Sequence, residues 1–132
     1  MVTDRLIQQS RSIRSTHDQT KEMIRIQIKK NRNGSYSSFV CKGHADYAKE
    51  GSDVVCAGVS ALVINTVNCL EDLLGEKISV TFDEENGGDI ECRLLDIPSE
   101  NASFLIDCMI HGFDWIIGQY GRKYLDYEIK EA

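Results

Sequence analysis

Residues 43–62 read Gly-His-Ala-Asp-Tyr-Ala-Lys-Glu-Gly-Ser-Asp-Val-Val-Cys-Ala-Gly-Val-Ser-Ala-Leu. The hydrophobic period changes within this stretch. Before Gly43 apolar residues alternate as in a half-buried strand; after Gly51 they recur every three or four positions as in a helix. A strand, a short polar loop and a long apolar helix in direct succession place sheet and helix in one domain. Gly43 and Gly51 bracket the loop and give it two hinges. Ser52 or Asp53 can cap the helix, which is expected to run to about Leu74 with Gly75 as its terminator. Its inward face is Val55, Val59, Leu62, Val63, Val67, Leu70 and Leu74.

Upstream, Ile24, Ile26 and Ile28 alternate, Asn33-Gly34 tolerates the positive φ of a hairpin, and a second strand covers about Tyr36 to Lys42. Downstream, Ile78, Val80 and Phe82 alternate, residues 84–88 turn the chain, and Ile90, Cys92 and Leu94 alternate again. Pro98-Ser99 opens a second helix with the stripe Ala102, Leu105, Ile106, Met109, Phe113, Ile116, Ile117 and Tyr120, and Gly121 stops it. Trp115 and the tyrosines fit core and edge positions. A last strand covers Tyr124 to Ile129. The expectation is an α+β fold of order ββαββαβ, two helices packed on a mainly antiparallel sheet. Residues 1–22 are polar and read as an N-terminal extension, a frayed helix or a segment without fixed structure, with Met23 as the natural start and 23–132 as the domain.

A chain of 132 residues holds one self-sufficient core. No apolar run is expected to span a bilayer and no secretory segment is evident, so a cytoplasmic location follows. The net charge of -6 is uneven. Residues 1–50 hold ten Lys/Arg against five Asp/Glu, and residues 51–132 hold five against sixteen. The acidic part argues against direct nucleic-acid binding and either attracts a basic partner or simply solubilises the surface. The five cysteines are odd in number and lack C-x-x-C spacing, which speaks against a disulfide framework. Cys41, Cys69, Cys92 and Cys108 read as small reduced core residues.

Cys56 is different, because it falls at the start of the helix, where unpaired N–H groups and the dipole favour thiolate. A helix end supplies roughly 0.3–1 kcal/mol, less than one pKa unit, so a neighbouring imidazolium must supply the rest. His44 lies just before the loop and can return to the sulfur. Asp53 could orient the imidazole or merely cap the helix. Ser60, one turn beyond Cys56, could bond to the pair or merely fill a groove. Spacing alone leaves open a nucleophile pair and a buried helix cysteine beside a turn histidine. Cys41-x-x-His44 with Cys108-x-x-His111 could in principle hold zinc, but a strand ending in Gly is a poor platform for it, and His111 reads as a half-buried, hydrogen-bonded side chain. Gly87-Gly88 is a turn without the helix start of a phosphate loop. Glu84, Glu85 and Asp89 read as a solvated hairpin tip.

Gly43-His44-Ala45, then Gly51-x-Asp53-Val54-Val55-Cys56-Ala57-x-Val59-Ser60-Ala61-Leu62 with Asn65 and Asn68, closely resembles the ribosomal-processing cysteine protease family (Prp, YsxB-like). The resemblance extends over about residues 23–132 in length and element order. It implies a bacterial cytoplasmic endopeptidase that removes an N-terminal extension from ribosomal protein twenty-seven of the large subunit, without metal or cofactor. By the same resemblance His44 and Cys56 are the catalytic pair, Asp53 and Ser60 accompany them, the glycine-bounded loop closes over an extended peptide, and the protein is a homodimer. Gly58 departs from the Ala usual in the family, at a cost of up to about 1 kcal/mol of helix propensity. The rival reading is a non-enzymatic ribosome-assembly factor that binds the same ribosomal protein.

Overall fold

A computed structural model describes residues 23–43, 52–83 and 89–131. The extension 1–22, His44, Gly51 and the turn 84–88 lie outside the described residues. In chain order the elements are β1 (Ile24–Lys30), β2 (Tyr36–Lys42), α1 (Ser52–Asn68), β3 (Ile78–Asp83), β4 (Asp89–Leu94), α2 (Glu100–Tyr120) and β5 (Leu125–Glu131). The expected order and the mainly antiparallel sheet are both present. The strands lie in the order β3-β4-β2-β1-β5, and only the β1–β5 pair is parallel.

Turn chemistry sets the strand ends. Gly34 takes φ +85 and its N–H bonds to the Asn31 carbonyl at 2.9 Å, closing the first hairpin where Asn33-Gly34 predicts it. Beyond Asn68 the helix widens into a π-helical turn, Cys69–Leu73. It ends as Glu76 N–H bonds to the Leu70 carbonyl at 2.9 Å across Gly75, the terminator expected from sequence. Ser99 caps α2, its Oγ accepting from Ala102 N–H at 3.1 Å. The same hydroxyl donates to Glu76 Oε2 at 2.9 Å, tying the two helix-end loops together.

Both helices pack on one face of the sheet. Ile24, Ile26 and Ile28 of β1, Phe39 and Cys41 of β2, Ile90 and Cys92 of β4 and Leu125 of β5 meet Val55, Val59, Val63 and Leu70 from the first helical segment and Ala102, Ile106, Met109 and Phe113 from α2. Each fully buried aliphatic side chain contributes roughly 1.5–3 kcal/mol, so this layer is the main source of stability. The helices approach closely at Gly112, where a Cβ would stand 2.7 Å from Leu62 Cδ1. A methyl on Gly58, by contrast, would meet Ile116 Cδ1 at 3.5 Å, an ordinary contact. Two tyrosines strap sheet to helix: Tyr36 donates its O–H to Asp107, and Tyr127 donates to Asp114 Oδ1 at 2.6 Å. Burial, then the bond to Asp107, pushes the Tyr36 phenol well above its ordinary range, and the bond to Asp114 pushes Tyr127 up to about 12.

Several expectations need correction. Trp115 is not a core residue but 61% exposed, because the apolar stripe of α2 runs through Ile106, Met109, Ile110, Phe113 and Ile116 and leaves position 115 outside. Cys108 and His111 are exposed on that same outer side rather than buried or half-buried. Cys69 is only partly buried. The residues Val54–Leu73 are, by length and composition, apolar enough to cross a bilayer, contrary to the sequence reading. Here the buried side of that segment lies against the sheet as the core helix.

Candidate active site

Three strand ends converge at one edge of the sheet. Arg25 of β1 pairs with Lys42 of β2, and Cys41 pairs with Ile90 of β4, so the end of β2 lies between the starts of β1 and β4. β2 stops at Gly43, which takes φ +71. A Cβ there would stand 2.8 Å from the Met23 carbonyl oxygen, a backbone atom. Only glycine combines that dihedral with that approach. The Gly43 N–H donates to Asp89 Oδ1 at 3.4 Å. Asp89 is therefore the first residue of β4, bonded across to β2, and not part of a solvated hairpin tip. Sequence reasoning missed it because the link joins residues 46 apart through a strand pairing with no local signature.

α1 begins at Ser52, so Asp53 stands inside its first turn rather than before it, and Cys56 starts the next turn. A helical side chain leans back toward the N-terminus, so Cys56 lies over the first turn of α1 even though its own amide lies one turn in. Cys56 is 1% exposed and belongs to the core cluster with Cys41. Cys41, fully buried on β2, has its thiol pushed far above the ordinary range by desolvation, then by the nearby charges of Cys56 and Asp89. Of these two neighbouring sulfurs, Cys41 is thus held as the thiol and is unsuited to attack. Ser60, one turn beyond Cys56, is 1% exposed, and among the described residues its Oγ has no hydrogen-bond partner.

Burial and, secondarily, Glu71 push Cys92 up to about 12. Cys41 sits in the core and Cys108 is exposed on the outer side of α2, so these two sulfurs do not share a site. Among the described residues no group of three or more His, Cys, Asp or Glu is placed to hold an ion. A depression of about 400 Å³ is lined by Arg25, Gln27, Val40, Lys42, Asp126 and Glu128 among others. Arg25 and Gln27 alternate with the buried isoleucines of β1, so the depression opens on the side of the sheet away from α1. Structure therefore links Gly43 to Asp89 and sets Cys56, with Ser60 one turn beyond it, beside Cys41 in the core. His44, Gly51 and the Asp53 side chain lie outside the described residues.

Comparison with known proteins falls on the same segment. The family model described as cysteine protease Prp matches residues 23–125. The ribosomal processing cysteine protease Prp of Staphylococcus aureus (strain Mu50) is 32% identical over 101 residues, covering 76% of this chain and 94% of that protein. A crystal structure of the S. aureus protease in complex with a substrate peptide superposes with a TM-score of 0.73 at 28% identity, covering 82% of this chain and 100% of the other. A second, with a covalently linked product peptide, gives a TM-score of 0.68 at 31% identity, covering 80% and 100%.

Proposed function

The chain belongs to the cysteine protease Prp family, and from that premise we propose that it is the endopeptidase that trims the N-terminal extension of ribosomal protein twenty-seven of the large subunit, in the cytoplasm, with Cys56 as nucleophile and His44 as its base. The observation that carries this reading is the covalently linked product peptide in a relative whose fold this chain shares. A covalent peptide adduct in such a relative supports nucleophilic chemistry here, and the resemblance of residues 51–62 to the family supports Cys56 as its sulfur.

In the proposed cycle the Cys56 thiolate attacks the scissile carbonyl carbon and the carbonyl electrons move to oxygen. First-turn N–H groups of α1 receive that oxyanion. His44, having taken the thiol proton, gives it to the leaving amine as the C–N bond breaks. Water then attacks the thioester, its proton passing to His44, and the acid product leaves. Asp53 serves to orient the imidazole. The Ser60 hydroxyl, buried and without a hydrogen-bond partner among the described residues, supports a role as a donor toward the sulfur once it is charged. Gly43 and Gly51 hinge the loop between them. The acidic balance of residues 51–132 suits capture of a basic ribosomal protein.

The test is mass mapping of the cut. Incubation with the ribosomal protein carrying its extension should yield two fragments that account for the intact mass plus one water. An intact substrate after long incubation, with the enzyme folded, would refute the reading.

We also propose that the protein works as a homodimer. Phe104 and Trp115 are 68% and 61% exposed and form, with Cys108 and His111 between them, a continuous stripe on the outer side of α2. Exposed aromatic stripes of this kind mark protein contacts. Sedimentation should give twice the chain mass for the wild type and the single mass for Trp115→Glu. A single mass for the wild type at tens of micromolar would rule the pairing out.

A further inference from the structure

At the end of the molecule away from Cys56, three large aliphatic side chains stand in solvent. Leu73 is 76% exposed, Leu95 59% and Ile97 68%. Leu73 closes the π-helical turn, and Leu95 and Ile97 lie on the connection between β4 and α2. Two hydrogen bonds hold these segments side by side. Leu95 N–H donates to the Lys77 carbonyl at 3.0 Å, and Ser99 Oγ donates to Glu76 Oε2 at 2.9 Å. The three side chains are thus carried on one braced pair of loops, where a single exposed leucine would need no explanation but three call for one. Their surroundings are acidic. Residues 71–77 and 95–100 hold five carboxylates, Glu71, Asp72, Glu76, Asp96 and Glu100, against one cation, Lys77. Among the described residues none of the five is in an ion pair.

We propose that this patch docks the substrate protein outside the segment that is cut, by a basic amphipathic stretch of its mature body, aliphatic on one side and flanked by Lys and Arg. The inference deepens, and rests on, the reading of the chain as the protease of a basic ribosomal protein. Charge selects the occupant. A second copy of this chain meeting the patch about a two-fold axis would set the same carboxylates against each other. An anionic lipid surface is repelled in the same way. A basic segment neutralises the rim while its aliphatic side covers Leu73, Leu95 and Ile97. The position fits a second point of attachment. Cys56 and Leu73 lie on one continuous helical segment, about 25 Å apart at 1.5 Å per residue. β4 spans the same interval, from its pairing with Cys41 to its end at Leu94. An extended chain crosses such a distance in roughly eight residues, so one substrate molecule can occupy both places at once. Contacts remote from the cut then hold the protein while its extension is presented to the sulfur.

Two variants change exposed side chains alone and should melt near the wild type. Leu73→Gln with Leu95→Thr and Ile97→Thr removes the apolar patch, and Asp72→Lys with Asp96→Lys reverses the rim. Two substrates separate docking from chemistry: the whole ribosomal protein with its extension, and a short peptide carrying only the cut site. With the whole protein, KM should rise roughly tenfold to a hundredfold in either variant while kcat changes little. With the short peptide both constants should match the wild type. The mature ribosomal protein, lacking its extension, is the probe for binding without cleavage. Titrated by calorimetry onto Cys56→Ala, it should bind, bind less tightly as salt is raised, and lose affinity by the same factor when the patch changes are added. Wild-type KM for the whole protein in both variants, or an equal loss on both substrates, would overturn the proposal. So would a patch variant that loses its dimeric mass yet binds the mature protein normally, which would assign the patch to a second copy. A wild type that cleaves neither substrate refutes the protease reading instead, and the titration still decides docking.

Discussion

Cys56→Ala should abolish peptide cleavage, lowering turnover on the order of 10⁴-fold or more, while the protein stays folded. The size of the effect follows from chemistry. Without the sulfur no thioester forms, and what remains is substrate binding and the helix-start donors. The structural cost is small. Cys56 is buried beside Cys41, and removing one sulfur atom leaves a void worth about 1 kcal/mol. Cys41→Ala is the matching control, since burial holds that thiol protonated and its loss should spare turnover. Circular dichroism and a melting curve should place both variants near the wild type. Wild-type turnover from Cys56→Ala would remove the nucleophile from the mechanism.

Gly43→Ala should produce the next largest loss, and it acts through backbone alone. At φ +71 an L-residue costs roughly 1–2 kcal/mol, and the added methyl would meet the Met23 carbonyl oxygen at 2.8 Å. The end of β2 must rotate or the start of β1 must move. Either displaces the chain immediately before His44, and a shift of about an ångström in a catalytic element costs on the order of 10²-fold in rate. The expected result is a fall in kcat/KM of that order together with a lower melting temperature. If Gly43→Ala cleaves within twofold of wild type, the strand end is not a rigid part of the site.

The elements and the core were legible for a simple reason: alternation in β1, β2, β3 and β4 and the three-to-four spacing in both helices are local signals, and local turn residues such as Gly34, Gly75 and Ser99 punctuate them. What escaped was set by distant partners. The parallel pairing of β5 beside β1 depends on which edge stays open after the hairpins have formed. Trp115, Cys108 and His111 read as inward because aromatic and cysteine residues are usually buried, whereas the stripe of α2 turns them out. The same holds at the site. Cys56 carries a local sign, its place near a helix start, but the bond from Gly43 to Asp89 arises only through the register of β4 on β2.

The pairing of Ile24 with Leu125 has a kinetic consequence during synthesis. A ribosome makes β1 well before β5, and closing a loop of about a hundred residues is slow compared with forming a hairpin. While the nascent chain is still growing, β1 lacks one neighbour, and the strand whose backbone braces Gly43 is held from one side only. Cleaving power should therefore arise abruptly, after β5 has left the exit tunnel and docked.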